Sequence, residues 1–264
     1  MTTPYYQDDL VTLHHGDCLP ILATLPSESV DAVITDPPYS SGGQFRSDRN
    51  RKTTTKYLNG AAESRLPDFD GDSRDQRSLE KWAVMWLAEC YRIARPGAAI
   101  ATFTDWRSLP VFSDALQIAG WTWRGVGVWV KPAGRTRPTK GGLWNDTEFI
   151  LWGSKGVRTH TVYLPGTWIT AAPDSRIRHH VTEKPALVLD DLVKLTPDGG
   201  HILDPFAGSG TTAVAAVRSG RRCTLVEQSS EYAQIIADRI ASLAACGSDV
   251  ASPPGFTGLF EGTS

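Results

Sequence analysis

No apolar run in this 264-residue chain approaches the roughly 20 residues that a helix needs to cross a bilayer. The opening residues, MTTPYYQDDL, also lack the basic and apolar regions of a secretory signal, so the sequence predicts a soluble, cytoplasmic protein with no membrane partner. Cysteine is sparse. Cys18, Cys90, Cys223 and Cys246 lie far apart with no C-x-x-C pair, which reads as reduced thiols and not as a disulfide framework or zinc site. The six histidines have no metal-ligand spacing either, and no metal is expected. The strict G-x-G-x-x-G pattern and the phosphate-binding G-x-x-x-x-G-K-[ST] pattern are both missing, which makes NAD and ATP poor fits. Nor is there a surplus of one charge: a net −2 advertises no polyanionic partner, so any nucleic-acid surface has to come from local clusters.

What the chain does have is a rhythm of strands and helices. Its length and 41% hydrophobic content suit one α/β domain. VTLHHGD (11–17) reads as a strand entering a loop, with a short helix at 18–25. VDAVITD (30–36) is nearly all apolar, as a buried parallel strand should be, and stops at Pro37-Pro38, where the ladder loses its donors. Residues 40–77 are polar and aperiodic, a long insertion. Residues 79–94 place Trp82, Met85, Trp86, Cys90 and Ile93 at helical spacing before the stop Arg95-Pro96-Gly97. Strands are expected at 98–105, 121–130 and 147–153, with a helix near 108–119. In the last third a helix at 184–196 precedes a strand at 201–208 that enters a glycine loop. A helix at 211–220, a strand at 222–228 and a helix at 230–245 follow. Such alternation indicates a mostly parallel sheet with crossover helices, and the Pro- and Gly-containing tail from 247 is expected to be flexible.

Two stretches carry chemistry. Asp36-Pro37-Pro38-Tyr39 follows a buried strand, at the end where open α/β sheets bind ligands. An amino group conjugated to a nucleobase is a poor nucleophile because its lone pair is delocalised. Acceptors against both its N–H bonds favour a pyramidal nitrogen and stabilise its developing positive charge. The Asp36 carboxylate and the Pro37 carbonyl suit that task, Pro38 stiffens the turn, and Tyr39 offers a ring on which an extruded base can stack. Taken alone, the string is equally a strand ending in a proline turn. The second stretch, Asp204-Pro205-Phe206-Ala207-Gly208-Ser209-Gly210-Thr211, is a strand end, a glycine turn and a helix start, where backbone approaches a ligand closely. Glu227, at the end of the next strand, stands where a ribose-binding acid would, with Gln228 beside it.

Together the two stretches resemble the β class of amino-methylating DNA methyltransferases, in which the catalytic motif comes early and the cofactor loop late. HHGDCLPIL (14–22) is similar to the segment whose acid, here Asp17 with Cys18 beside it, meets the cofactor adenine. HVTEKP (180–185) resembles the His-x-Thr-x-Lys-Pro segment, which implies that Thr182 and Lys184 lie near the methionine part of the cofactor. Val181 and Glu183 stand where that family usually shows proline and glutamine. The resemblance implies S-adenosylmethionine as cofactor and a Rossmann-like α/β methyltransferase fold, a mixed, mostly parallel sheet flanked by helices. One catalytic domain (1–246) is expected, of a kind found in restriction–modification systems.

Asp at the first motif position goes mostly with adenine N6 in this family, and Ser with cytosine N4. Methylation at cytosine C5 is set aside because it needs a nucleophilic thiolate, typically after a proline, and none of the four cysteines follows one. Asn-Pro-Pro-Tyr is more usual for RNA or protein-glutamine substrates, and an intact motif set argues against a silent DNA-binding module. Double-stranded DNA is the expected partner, gripped by two basic clusters. Arg46, Arg49, Arg51 and Lys52 lie in the insertion, which would act as a lid. Lys131, Arg135, Arg137 and Lys140 lie in the loop 131–146, with Trp144 near them. Target sequence is not legible, nor whether the chain acts alone or as a homodimer.

Overall fold

The computed structural model describes residues 3–39, 75–132, 141–170 and 184–245. Most of the 40–77 insertion lies outside them, with Arg46, Arg49, Arg51 and Lys52; so do Arg135, Arg137, Lys140, Thr182 and the tail from 247.

Among the described residues nine strands form one sheet: β1 (Tyr6–Gln7), β2 (Val11–His15), β3 (Val30–Thr35), β4 (Ala94–Thr104), β5 (Thr122–Val130), β6 (Thr147–Ser154), β7 (Thr167–Ile169), β8 (His201–Asp204) and β9 (Arg222–Glu227). Their spatial order is β1-β2-β9-β8-β3-β4-β6-β5-β7. From β2 through β9, β8 and β3 to β4 every pairing is parallel, and so is β5 with β7. The pairings β1–β2, β4–β6 and β6–β5 are antiparallel, so the sheet is mixed and mostly parallel. The central strand β3 is buried at every residue but Asp31, which accounts for its near-continuous apolar sequence.

Helices α1 (Cys18–Thr24), α2 (Gln76–Ile93) and α3 (Leu109–Ile118) cover one face. Ile21, Leu22, Leu79, Trp86, Phe112 and Leu116 pack there against Val33, Ile100 and Leu151. Helices α4 (Ala186–Leu192), α5 (Thr211–Arg218) and α6 (Ser230–Ala245) cover the other. Val188, Leu192, Ala215 and Ile236 join Leu13, Ala32, Ala101 and Leu225 on that side. The result is the three-layered arrangement that a parallel sheet, apolar on both faces, requires. Cys18, Cys90 and Cys223 are buried. No helix among the described residues is long and apolar enough to cross a membrane.

Several boundaries differ from those read in the sequence. Helix α2 begins at Gln76 and gives way directly to β4, which contains the expected stop Arg95-Pro96-Gly97. Proline bars the helix, but Ala94 already pairs with Val30; the register then shifts, and pairing resumes at Ala32 with Ala99. Gly97, at φ +82°, sits in this irregular stretch, where an added Cβ would also meet the Val157 carbonyl at 3.1 Å. Met85, placed on the core face by its spacing, is 55% exposed, while Trp86 beside it is fully buried. The helix expected over 184–196 is α4 followed by a 3₁₀ turn at Val193–Leu195.

Candidate active site

β3 and β8 are parallel neighbours through Ala32↔Ile202 and Val33↔Leu203, so the two motifs emerge side by side from their carboxyl ends. The Thr35 hydroxyl donates to Asp204 Oδ1 at 2.7 Å and pins them together. From here the chain crosses to β4 on one side and to β9 on the other. This reversal is the switch point at which such sheets bind ligands. The antiparallel strands bring further segments to the same end: β6 starts level with the end of β4 (Thr104↔Phe149), and Val130 at the end of β5 pairs with Thr147. The connection 131–146 therefore leaves the sheet at the end that carries Asp36. β7 finishes opposite Val130, on the way back towards Lys184.

Lys184 belongs to no helix or strand, because Pro185 after it holds the backbone extended and starts α4. Its ammonium is buried and lies 2.6 Å from Asp36 Oδ2 and 3.2 Å from Glu148 Oε2. It lies 5.3 Å from the centre of the Phe103 ring on β4, so it bridges from β3 to β6 over that strand. The other Glu148 oxygen, Oε1, is 2.8 Å from Lys131 Nζ. Burial works against the charge on Lys184, yet Asp36 and Glu148 outweigh it and hold the ammonium pKa above its usual value. Burial likewise pushes Glu148 up, but Lys184 and Lys131 prevail and keep its pKa below the usual range. For Asp36 burial wins over Lys184; with Glu148 and Asp204 adding to it, the carboxyl is pushed up to about 6. Asp36 Oδ1 is buried and has no hydrogen-bond partner among the described residues. Tyr39 is only 7% exposed and its carbonyl accepts a hydrogen bond from Ser108 Oγ at 2.7 Å. The Lys184 ammonium is 5.6 Å from the centre of the Tyr39 ring and 3.5 Å from its hydroxyl. Stacking a base on this ring therefore requires the segment around it to open.

On the other side of the switch point, Asp204 is buried and accepts from Thr35 and from the Phe206 amide at 3.1 Å. It is a structural brace of the glycine loop. Ala207 donates to Val226 and is itself reached by the Gly210 amide, which folds the loop back on β9. Gly208 and Gly210 take left-handed φ values of +53° and +82°, and a Cβ on Gly210 would press on Ile236 at 3.0 Å. Ser209 is buried, with its carbonyl bound by Arg239 at 2.6 Å, and Thr211 opens α5. Glu227 accepts from the Gly208 amide at Oε2 and from the Ser229 amide at Oε1, both at 2.8 Å. Burial nevertheless raises its pKa to about 7 against those two donors. A carboxylate has lone pairs beyond two bonds, so Glu227 retains acceptor capacity for a vicinal diol. Glu227 and Asp204 end the strands β9 and β8 and Asp36 directly follows their neighbour β3, which spaces the two outer acids by about 10 Å at two inter-strand steps. Phe206 packs on Trp82 and Trp86, with ring centres 5.3 and 5.2 Å away.

Other expected site residues fall into place differently. Asp17 caps α1 by accepting from the Leu19 amide at 2.9 Å, and the Cys18 thiol is buried in the core. Gln228 is exposed, and its backbone carbonyl oxygen is 3.1 Å from His15 Nε2. Lys131, expected to grip phosphate, is paired with Glu148 at the base of its loop. Glu148 itself was absent from the sequence reading. Its signal was available, since an acid inside the apolar strand TEFILWGS has to be paired if it is buried. Leu143 and Trp144, in the same loop, are exposed. Among the described residues no three His, Cys, Asp or Glu side chains are grouped to hold a metal ion.

Comparison with known proteins gives this geometry its context. The family model described as DNA methylase (N6_N4_Mtase) matches residues 30–164 and 154–238. The chain is 32% identical over 229 residues to YubD, a candidate methylase of Escherichia coli (strain K12), covering 86% of this chain and 89% of the relative. It is 26% identical over 260 residues to the Type II methyltransferase M2.DpnII of Streptococcus pneumoniae, covering 91% and 93%. Among solved structures, the M1.HpyAVI–SAM complex superposes with a TM-score of 0.63 at 22% identity, covering 88% of this chain and 99% of that one. With both motifs at the switch point of one mixed sheet and the family model spanning more than half of the sequence, the chain belongs to the N6_N4 family of DNA methylases.

Proposed function

We propose that this protein transfers the methyl group of S-adenosylmethionine to the exocyclic N6 of adenine in double-stranded DNA. The observation that carries this reading is Asp36 Oδ1, a buried acceptor without a partner among the described residues, at the carboxyl end of β3 beside the glycine loop of β8. The donor set suits the cofactor: Glu227 has acceptor capacity for ribose hydroxyls, and M1.HpyAVI, which shares the fold, was solved as a complex with that molecule. When bound, S-adenosylmethionine supplies a methyl group made electrophilic by its sulfonium. The chain's part is to orient and to stabilise. Lys184 holds Asp36 by Oδ2, leaving Oδ1 to accept one N–H of a flipped base while the Pro37 carbonyl accepts the other. The nitrogen lone pair is then localised for in-line attack, and Asp36 Oδ1 is the nearest base for the proton that the nitrogen sheds. Asp at position 36, where the resembled class mostly has Ser for cytosine, supports adenine.

The family's name covers N4 as well as N6 methylation, so cytosine N4 is the second reading. Duplex DNA from cells expressing the protein, sequenced by a method that distinguishes the two modified bases, is expected to carry N6-methyladenine at one short motif. N4-methylcytosine there would establish the second reading. Asp36→Ala should keep the cofactor and lose about a hundredfold in rate, the scale for removing one preorganised polar group. An unchanged rate would remove Asp36 from the mechanism.

A further inference from the structure

We infer that Glu148 is a positioning residue for methyl transfer, holding Lys184 against Asp36 Oδ2 and balancing its charge so that Oδ1 stays an effective acceptor. This rests on the function proposed above. The reacting nitrogen becomes positive as it attacks, so its surroundings have to be net negative. A buried ammonium 2.6 Å from Asp36 would by itself offset the carboxylate charge that serves this purpose. Glu148 on β6, 3.2 Å from the same ammonium, offsets its charge at Asp36: the two carboxylates and the ammonium carry one negative charge between them, and Lys131, 2.8 Å from the other Glu148 oxygen, brings the four groups to neutrality. Lys131 lies on the far oxygen of Glu148, away from the Lys184 contact. The placement is also rigid. Glu148 faces Trp129 in the β5–β6 ladder, one residue from Phe149, which pairs with Thr104 of β4. It thus fixes Lys184, which lies outside regular structure, from a paired strand. Among the described residues the charged groups that act on Asp36 are Lys184, which lowers its proton affinity, and Glu148 and Asp204, which raise it.

The test is Glu148→Gln in the full chain, read by single-turnover methyl transfer to duplex DNA against pH, with cofactor affinity by calorimetry. We expect kcat about tenfold lower, unchanged cofactor affinity, and the acid limb of the profile moved to lower pH, because a negative neighbour of Asp36 has gone. In a Lys184→Met background the same change should have little further effect on kcat, since Glu148 acts through Lys184. Wild-type kcat with an unmoved limb, or full additivity with Lys184→Met, overturns the inference. If the glutamine variant does not fold, Glu148→Asp keeps the charge and retracts it; it should lower kcat and leave the limb near its wild-type position. Wild-type kcat in that variant counts against the inference. Carbon NMR titration of the Asp36 carboxyl, assigned by its loss in Asp36→Asn, reads the same shift without turnover. A wild-type protein inactive on DNA but showing the shift overturns the proposed function alone. An active one showing none overturns the role of Glu148 alone.

Discussion

Methyl transfer should fall about tenfold between pH 7.5 and pH 5, with the midpoint set by Asp36. With its carboxyl pushed up to about 6, Asp36 is ionised in almost every molecule at pH 7.5 but in only about one in ten at pH 5. Only the ionised form accepts an N–H at both oxygens, so the rate follows that fraction. An aspartate at its ordinary value would still be over about 90% ionised at pH 5, and the rate would barely change. The assay is a single turnover with tritiated S-adenosylmethionine held saturating at each pH, because Glu227 titrates near 7 and would otherwise mix a binding effect into the profile. Circular dichroism at each pH guards against unfolding. Lys184→Met should move the limb to higher pH as well as slow the reaction, since the ammonium is the main influence favouring the ionised carboxyl. A rate that is flat down to pH 5 in folded protein, or a limb that Lys184→Met leaves in place, would refute the environment assigned to Asp36.

Glu227→Ala should weaken both S-adenosylmethionine and its demethylated product, which share the ribose; calorimetry with unchanged affinity for both would remove Glu227 from the site. Because Glu227 is raised to about 7 in the free protein, hydroxyl donors that favour its ionised form should expel part of a proton near that pH, measurable by calorimetry in buffers of different ionisation enthalpy and absent in Glu227→Gln. Tyr39→Phe should be milder than Tyr39→Ala in single-turnover rate, since stacking needs the ring and not the hydroxyl; equal loss in both would assign the role to the hydroxyl. Replacing Arg135, Arg137 and Lys140 with Ala should weaken binding to all duplex sequences and reduce the slope of log affinity against log salt by up to about three, as seen by fluorescence anisotropy, with cofactor affinity unchanged.

The sequence made the central strands legible because a strand buried on both faces has to be largely apolar, as Ala32, Val33 and Ile34 of β3 and Ile202 and Leu203 of β8 are, and because prolines and glycines mark where they stop. Tyr6–Gln7 and Thr167–Ile169 escaped notice since two or three residues are too few to display a period, and pairing with β2 and β5 is what makes them strands. Met85 shows the converse limit: an apolar residue at helical spacing is not obliged to face the core when its neighbour Trp86 fills that face. Both halves of the site could be read from Asp36-Pro37-Pro38-Tyr39 and the glycine loop, but their adjacency could not, because it depends on the crossover that sets β8 beside β3. Lys184 illustrates this most clearly. Resemblance implies a place near the methionine part of the cofactor, whereas the geometry ties its ammonium to Asp36 and Glu148, from strands that sequence alone does not bring together.

Four acids near one end of this sheet differ in role because their partners differ. Asp204 is buried with Thr35 and the Phe206 amide donating to it, so its carboxylate is committed to joining two strands. Glu148 is held ionised by two lysines and serves as fixed charge. Asp36 and Glu227 are the pair whose proton affinity burial raises furthest towards neutrality, to about 6 and about 7, although each already has donors. A carboxyl that burial penalises in this way gains from any ligand that brings N–H or O–H groups to its remaining lone pairs. Asp36, whose Oδ1 has no partner among the described residues, and Glu227, with lone pairs beyond its two bonds, stand on either side of the switch point, one suited to an amino group and the other to a diol. On the function proposed above, Asp36 thus receives the base and Glu227 the cofactor because burial raises both carboxyls and each keeps lone pairs for a donor.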